Sequence, residues 1–214
     1  MKVRLLHNTP LWVCATAIRT CWASEGKSDS YFEKLGDEFE YEEVFVCGKK
    51  DKELIERVSN KNKHSSVLRH LNYIFDIQGI STKTLLAFTR HKAGIEFSVQ
   101  STRYTTKKRK DDLSYTLTGD LRIDSKLSAI SNLVNEAIEE GCSNDDIAML
   151  LPQSYQYTCV VTMNAQAIQH FLKLRTNPSA HFDIRELALN IYASLPSEHK
   201  YLFKDSLYKE KQDD

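Results

Sequence analysis

One stretch of the chain, residues 90–104, combines the side-chain types that bind phosphate and other anions. It reads Arg-His-Lys-Ala-Gly-Ile-Glu-Phe-Ser-Val-Gln-Ser-Thr-Arg-Tyr. A polar group buried without a partner costs about 1–3 kcal/mol, so we do not expect this stretch to lie in the core. Guanidinium groups form planar, bidentate pairs with phosphate oxygens. The stretch therefore predicts a binding site for a ligand rich in phosphate, such as a nucleotide.

The whole chain carries no surplus of charge that would indicate a polyanionic partner. Among 214 residues, 29 basic side chains balance 29 acidic ones, while 41% hydrophobic and 27% charged residues are typical of a globular protein. Proteins that bind nucleic acids or membrane surfaces usually have a basic surplus. We therefore expect neither nucleic acid nor a membrane as partner, and any nucleotide should be small.

The cysteines and the hydrophobic segments indicate a cytoplasmic protein. No run of about 18 apolar residues occurs, and Leu5-Leu6 is followed at once by His7-Asn8, unlike a signal peptide. Five cysteines without a CxxC pair argue against a disulfide framework or a zinc ribbon. His64 and His70 lack a nearby third ligand, so we expect no metal site.

Hydrophobic periodicity predicts an α+β fold. Alternating or β-branched residues predict strands, which should cover residues 2–7, 71–78 and 157–163. Apolar residues at helical spacing predict helices, which should begin at Thr9-Pro10, at Ser81 and at 164, and cover 51–63, 125–141, 144–151 and 180–195. Strands near both ends of the chain with helices between them favour α+β over regular βαβ alternation.

Individual residues predict where some elements begin and end. Gly79 should end the central strand, and Ser65 or Ser66, Ser81 and Ser125 should cap helices. Arg19 falls off the apolar face of the first helix, so we expect it to be solvated or at an interface.

The chain as a whole, residues 1–214, is predicted to be a single domain. Residues 24–50 mix turn formers with aromatic and acidic residues, which predicts a surface insertion with a hairpin or, alternatively, a flap over a site. The charged tail at 209–214 should fray.

Three ordered motifs resemble the flavin-dependent thymidylate synthases, the ThyX family. Arg90-His91-Lys92 followed by Ser101-Thr102-Arg103-Tyr104 is similar to the family's Arg-His-Arg signature and its Ser-x-Arg-Tyr. Thr162-Met163-Asn164-Ala165-Gln166 resembles Thr-Val-Asn-Ala-Arg. The third motif is Leu172-Lys173-Leu174-Arg175, with Ala180 and Ile184 following at family spacing. The resemblance covers about residues 1–208 and looks most like the ε-proteobacterial branch.

The resemblance implies a fold, an assembly and a reaction. The protomer would have a mixed or antiparallel sheet flanked by helices, and a homotetramer would build each active site from several subunits, with FAD at the interfaces. The reaction would convert dUMP to dTMP, with methylenetetrahydrofolate as carbon donor and FADH2, regenerated by NADPH, as hydride donor. No cysteine nucleophile is required in this family.

The resemblance also implies roles for individual residues. Arg175 would stabilise negative charge that develops on the pyrimidine, and Ser101 holds the position of the signature serine. The two form the implied catalytic set, and Gln100, Thr102 and Arg103 would join them in binding the substrate. The FAD contacts would come from His64, Ser66, Arg90, His91, Lys92, Asn164, Gln166 and His170.

The sequence departs from the family pattern at positions that should touch ligands. Lys92 replaces an arginine and so loses the planar fork, and residues 93–100 are one residue more than the signature spacing. The other departures are Gln166 for arginine, His170 for an amide, Arg69 for glutamate, Ala87 for glutamine or glutamate, and Ala148-Met149 where a basic residue is common.

These departures leave three functions open. The preferred one is a thymidylate synthase in which other residues compensate for the losses. The alternatives are an enzyme that modifies another pyrimidine nucleotide, for example by hydroxymethylation, and a catalytically impaired relative that binds nucleotide or flavin. Each lost charge-assisted hydrogen bond contributes roughly 1.5–3 kcal/mol, so several losses could reduce affinity by orders of magnitude.

Overall fold

The computed structural model describes residues 1–36 and 41–209 and contains two antiparallel sheets. The strands are β1 (Lys2–Asn8), β2 (Tyr31–Gly36), β3 (Tyr41–Val46), β4 (Asn72–Ser81), β5 (Ile95–Val99) and β6 (Gln156–Asn164). Four of them form the main sheet in the order β1-β4-β6-β5, and every neighbouring pair is antiparallel. The remaining two form a separate hairpin.

Helices pack against the main sheet and extend from its ends. They are α1 (Leu11–Cys21), α2 (Lys49–Glu56), α3 (Thr82–Phe88), α4 (Thr102–Thr105), α5 (Leu121–Glu139), α6 (Asn144–Ala148), α7 (Ala165–Arg175) and α8 (Phe182–Ser194). Short 3-10 helices cover Glu25–Lys27, Ser65–His70, Lys107–Asp112, Ser197–Leu202 and Lys204–Ser206, and a π-helical turn covers Arg57–Lys61. The predicted α+β fold is confirmed. No helix among the described residues is both long and apolar enough to span a bilayer.

The core lies between one face of the main sheet and helices α1, α7 and α8. Tyr73, Phe75 and Ile77 alternate along β4 and are fully buried, as the period of two predicts. Phe171 on α7 packs against the ring of Phe88, with the ring centroids 4.8 Å apart. Each such buried side chain contributes roughly 1.5–3 kcal/mol. Burial therefore fixes one face of α7 and leaves the other face, with Gln166 and His170, free to line a site.

Two of the predicted element ends are wrong. Gly79 does not end the central strand, because β4 continues to Ser81 through a register shift at which Gly79 takes φ +80°. Helix α5 begins before Ser125: the Asp120 side chain accepts a hydrogen bond of 2.9 Å from the Arg122 backbone N–H and caps the helix.

The predicted serine caps have different outcomes. Ser81 caps α3 by accepting the Thr84 backbone N–H at 3.1 Å, as predicted. Neither Ser65 nor Ser66 is a cap, because the 3-10 helix over Ser65–His70 follows His64 without a side-chain capping bond.

Arg19 is buried, so the prediction of a solvated arginine is wrong. Its Nε donates to Asp51 Oδ1 at 2.6 Å, and Ser28 and Ser30 donate to Asp51 Oδ2 at 2.5 and 2.7 Å. Burial alone would raise the pKa of Asp51, but these hydrogen bonds outweigh it and hold the pKa below its usual range. The partner comes from a distant segment, which helical periodicity cannot reveal.

The region predicted as an insertion contains the hairpin of β2 and β3. Phe45 packs edge-on against Phe32 and Trp12, with ring centroids 4.7 and 5.1 Å apart, and this joins the hairpin to α1. Residues 37–40 of this region, and residues 210–214 of the tail expected to fray, lie outside the described residues. A role of residues 24–50 as a flap remains a prediction.

Candidate active site

A cleft of about 760 Å³ opens where the turn after α3 meets the start of α7. Its lining comes from Arg69, from residues 90–95, and from Asn164, Gln166, Ala167 and His170. Six of the eight predicted FAD contacts, those in the turn, at the end of β6 and in α7, therefore come together. The volume falls in the range typical of small-molecule sites.

The contact between Gly94 and Asn164 holds the two sides of the cleft together. Asn164 ends β6 and caps α7, because its Oδ1 accepts the Ala167 N–H at 2.9 Å. Its backbone N–H donates to Gly94 O at 3.0 Å. Gly94 has φ +74°, and a Cβ at this position would overlap the Asn164 side-chain amide. Only glycine satisfies both the conformation and the close approach.

The lining of the cleft is strongly cationic. Arg69, Arg90 and Lys92 contribute three permanent positive charges, and the lining formed by the described residues includes no aspartate or glutamate. The first turn of α7 adds the partial positive charge of a helix N-terminus. Because the whole chain has balanced charge, this local surplus indicates an anionic ligand.

His91 is held in its neutral form beside the cleft. The Arg175 Nε donates to His91 Nε2 at 3.1 Å, and because arginine is always a donor, this nitrogen must carry no proton. Burial, followed by the charge of Arg175 and the proximity of His170, lowers the pKa of His91 from 6.5 to about 4. The pair joins the first sequence motif to the last residue of α7.

Four of the five predicted substrate contacts lie at the opposite end of β5 from the cleft, whereas Arg175 ends α7 and bonds to His91. We call Gln100, Ser101, Thr102 and Arg103 the distal surface. Strand β5 separates the two places by five residues at ~3.3 Å each, roughly 17 Å. The predicted flavin contacts and the predicted substrate contacts within residues 90–104 therefore lie at two separate places on one chain.

The distal surface is held by contacts of its own. Gln100 Oε1 accepts from the Thr158 N–H at 3.3 Å and from Arg109 at 3.2 Å. Arg103 forms an exposed ion pair of 3.3 Å with Asp145, and the exposed Ser101 directly precedes α4.

The remaining predicted contacts, His64 and Ser66, are exposed and do not line the cleft. They flank Ser65, whose Oγ accepts from Gln166 Nε2 at 2.7 Å. Gln166 Oε1 in turn accepts from Arg69 Nε at 2.7 Å. Sequence reasoning gave Ser65 no part in the site and noted Arg69 only as a departure from the family pattern, without a role. The available signal was a paired departure from the family pattern, with an arginine gained at 69 and one lost at 166.

Neither a cysteine nor a cluster of metal-ligating side chains occurs among the described residues that line the cleft. Its lining includes no cysteine, and burial raises the pKa of Cys14 and Cys159 to about 12 and that of Cys47 to about 11. Across residues 1–36 and 41–209, no group of three histidine, cysteine or acidic side chains is arranged to hold a metal ion.

Known proteins are similar to this chain in sequence and in fold over nearly its whole length. The family model described as thymidylate synthase complementing protein matches residues 4–199. The flavin-dependent thymidylate synthase of Campylobacter jejuni (strain RM1221) is 40% identical over 223 residues, covering 98% of this chain and 99% of the relative. That of Wolinella succinogenes is 40% identical over 216 residues, covering 95% and 97%.

Solved structures agree with the sequence relatives. A ThyX crystal structure from Helicobacter pylori, complexed with FAD and dUMP, matches with a TM-score of 0.84 and 32% identity, covering 97% of this chain and 100% of that one. The UMP/dUMP methylase PolB from Streptomyces cacaoi shares the fold, with a TM-score of 0.67, 19% identity and 97% coverage of each chain. The predicted resemblance to the ε-proteobacterial branch is confirmed by these genera. The chain belongs to the family of flavin-dependent thymidylate synthases.

Proposed function

We propose that this protein methylates dUMP at C5 to form dTMP, with methylenetetrahydrofolate as carbon donor and FAD as the redox cofactor that NADPH reduces. The observation that carries the proposal is the cationic cleft in which the Arg90–Gly94 turn and the start of α7 meet. Relatives named flavin-dependent thymidylate synthases, aligned over nearly the full chain, support it.

The cleft fits FAD in charge and in polarity. Three cations without a lining carboxylate suit a dinucleotide with two phosphates, and Asn164 and His170 offer polar groups beside them. FAD, when bound and reduced by NADPH, would supply the hydride that completes the methyl group. Arg90, Lys92 and His170 would bind it, and Asn164 would keep the turn and α7 in register.

Arg175 is the residue best placed to act on the pyrimidine. Its Nε is engaged by His91, and its terminal nitrogens donate to no acceptor within the described part of the chain. A fixed guanidinium stabilises negative charge that develops on the base carbonyls and N3 in the transition state. His91, uncharged and sharing a hydrogen bond with Arg175, acts as its positioning residue.

The distal surface would bind the sugar and phosphate of dUMP. Arg103 supplies a cation, and Ser101 and Thr102 supply hydroxyl donors. This surface lies roughly 17 Å from the cleft along β5, which favours a site completed by a second chain. We therefore propose a homotetramer in which each active site combines the cleft of one subunit with the distal surface of another.

Tritium release from C5-labelled dUMP tests the reaction directly. We expect release that requires FAD, NADPH and methylenetetrahydrofolate together, and no release when any one is omitted. Labelled UMP in a parallel assay provides the substrate control. Turnover of UMP but not of dUMP would mean that UMP is the substrate. A purified protein that takes up no FAD would overturn the proposal.

A further inference from the structure

Arg69 ends a chain of side-chain hydrogen bonds that leads into the cleft. Its Nε donates to Gln166 Oε1 at 2.7 Å, and Gln166 Nε2 donates to Ser65 Oγ at 2.7 Å. Arginine cannot accept a hydrogen bond, so the amide oxygen of Gln166 must face Arg69 and the amide nitrogen must face Ser65. Both ends of Gln166 are therefore committed to protein partners.

The guanidinium of Arg69 is oriented but not neutralised. It lines the cleft, and its two terminal nitrogens donate to no acceptor among residues 1–36 and 41–209. Arg4, Arg19 and Arg103 contrast with it, because each forms an ion pair with an aspartate. A planar pair of free N–H donors, held in place through Nε, is the arrangement that binds two oxygens of a phosphate group.

We propose that Arg69 is a diphosphate-binding residue of the cleft and that Gln166 and Ser65 are its positioning residues. The ligand class is a nucleoside diphosphate moiety, which FAD contains. This inference rests on the proposed function for the identity of the dinucleotide. In this proposal Gln166 orients the guanidinium of Arg69, whereas the family resemblance implies that Gln166 contacts the flavin directly.

Binding measurements on the full-length protein test the role of Arg69. Apoprotein is titrated with FAD, with ADP and with riboflavin, for the wild type, Arg69→Gln and Arg69→Lys. We expect Arg69→Gln to weaken the affinities for FAD and for ADP by about 10- to 100-fold each, because this is the range that the loss of a charge-assisted hydrogen bond gives. Riboflavin, which has no phosphate, should bind unchanged. The affinities of Arg69→Lys for FAD and ADP should fall between those of the wild type and of Arg69→Gln, since a lysine keeps the charge without the planar fork.

Arg4→Gln is the matched control. Arg4 is another exposed arginine, which lies on β1 and pairs with Asp76 of β4, and β1 lies at the opposite edge of the main sheet from β5. This variant should bind all three ligands as the wild type does. Equal losses of FAD and riboflavin in Arg69→Gln would indicate a distorted pocket, and affinities within threefold of the wild type would show that Arg69 makes no contact. Either result overturns the inference.

A double-mutant cycle tests the positioning role of Gln166. Gln166→Leu should weaken ADP binding when Arg69 is present and should have no further effect on it in the Arg69→Gln background. Equal effects in both backgrounds would contradict a role exerted through Arg69. A wild-type protein that binds ADP but fails to release tritium from dUMP would defeat the proposed function and leave Arg69 as a phosphate ligand, so the two failures are distinguishable.

Discussion

At the scale of single residues, Arg175 should control turnover more than cofactor binding. Arg175→Lys keeps the charge but removes the Nε donor that His91 accepts. We expect kcat for dUMP to fall by about 10- to 100-fold, since one well-placed charge-assisted bond contributes roughly 1.5–3 kcal/mol. FAD affinity should stay the same, because Arg175 does not line the cleft. Steady-state kinetics and FAD titration measure the two quantities.

The control for this variant is Arg4→Lys, an equal change at a surface arginine on the far edge of the sheet. Its kcat should equal that of the wild type. If Arg175→Lys kept its kcat within twofold, the proposed role in charge stabilisation would be wrong.

His91 should make part of the folding stability depend on pH. Its pKa is about 4 in the folded protein against 6.5 ordinarily, so the unfolded chain binds more protons between these values. The contribution of neutral His91 is complete above pH 6.5 and is lost as the pH falls toward 4. The surrounding charged and titratable groups that lower the pKa are Arg175 and His170.

Urea unfolding of the apoprotein at a series of pH values between 4 and 7 checks this expectation. His91→Gln keeps an acceptor for Arg175 but cannot titrate. The free energy of unfolding of the wild type should therefore fall relative to that of the variant as the pH decreases through this range. His199, whose pKa is also lowered by burial, is common to both proteins and cancels. Parallel curves would show that His91 does not carry the effect.

At the scale of elements, the junction of the Gly94 turn with α7 should be sensitive to one methyl group. Gly94→Ala places a Cβ on the Asn164 amide that caps α7. Gly119 has a similar φ of +82° but open space around its Cβ position. Gly119→Ala should therefore lower the free energy of unfolding only by the strain of the left-handed conformation, about 1–2 kcal/mol. Gly94→Ala should lower it by this amount plus roughly 0.5–2 kcal/mol for the disturbed helix cap.

Thermal unfolding separates the two glycine variants, since 1 kcal/mol corresponds to about 2–4 °C in a chain of this size. We expect a lower Tm for Gly94→Ala than for Gly119→Ala, and weaker FAD binding only in Gly94→Ala. Equal Tm values and equal FAD affinities would mean that the Gly94–Asn164 contact does not organise the cleft.

The elements with a strong apolar pattern could be predicted from sequence, and β5 could not. Strand β6 and helix α7 were recognisable from β-branched residues and from helical spacing. In β5, the exposed Glu96 and Ser98 alternate with the more buried Ile95 and Phe97. This alternation is typical of a strand at the edge of a sheet, but the polar residues led to the prediction of a ligand-binding segment instead of a strand. The convergence of Arg90 with α7 came only from the family resemblance, because contacts between distant segments leave no local pattern.

At the scale of the whole molecule, mixed assemblies should reveal whether subunits share an active site. Arg90→Ala damages the cleft, and Arg103→Ala damages the distal surface. Each variant alone should have little activity. If every site combines the two regions from different chains, a homotetramer assembled from equal amounts of both variants regains an undamaged pair in about a quarter of its sites.

The matched control mixes Arg90→Ala with Lys92→Ala, two changes on the same cleft, and it should recover nothing because every site then has a damaged cleft. Tritium release measures the recovery, and native mass spectrometry verifies that mixed tetramers have formed. Mixed tetramers of Arg90→Ala and Arg103→Ala without recovery would mean that the sites are not shared in this way. A protein without tetramers would contradict the proposed assembly.

The regular pairing of β5 limits how this enzyme can change over evolution. The strand is in unbroken register with β6 from Ile95 to Val99, so the extra residue among 93–100 adds no bulge to the ladder. Adding one residue within β5 would turn every following side chain to the other face of the sheet. The distance between cleft and distal surface can therefore change along the strand only in pairs of residues, about 6.6 Å at a time. Finer adjustment of the spacing between the two ligands must come from the turns that flank the strand.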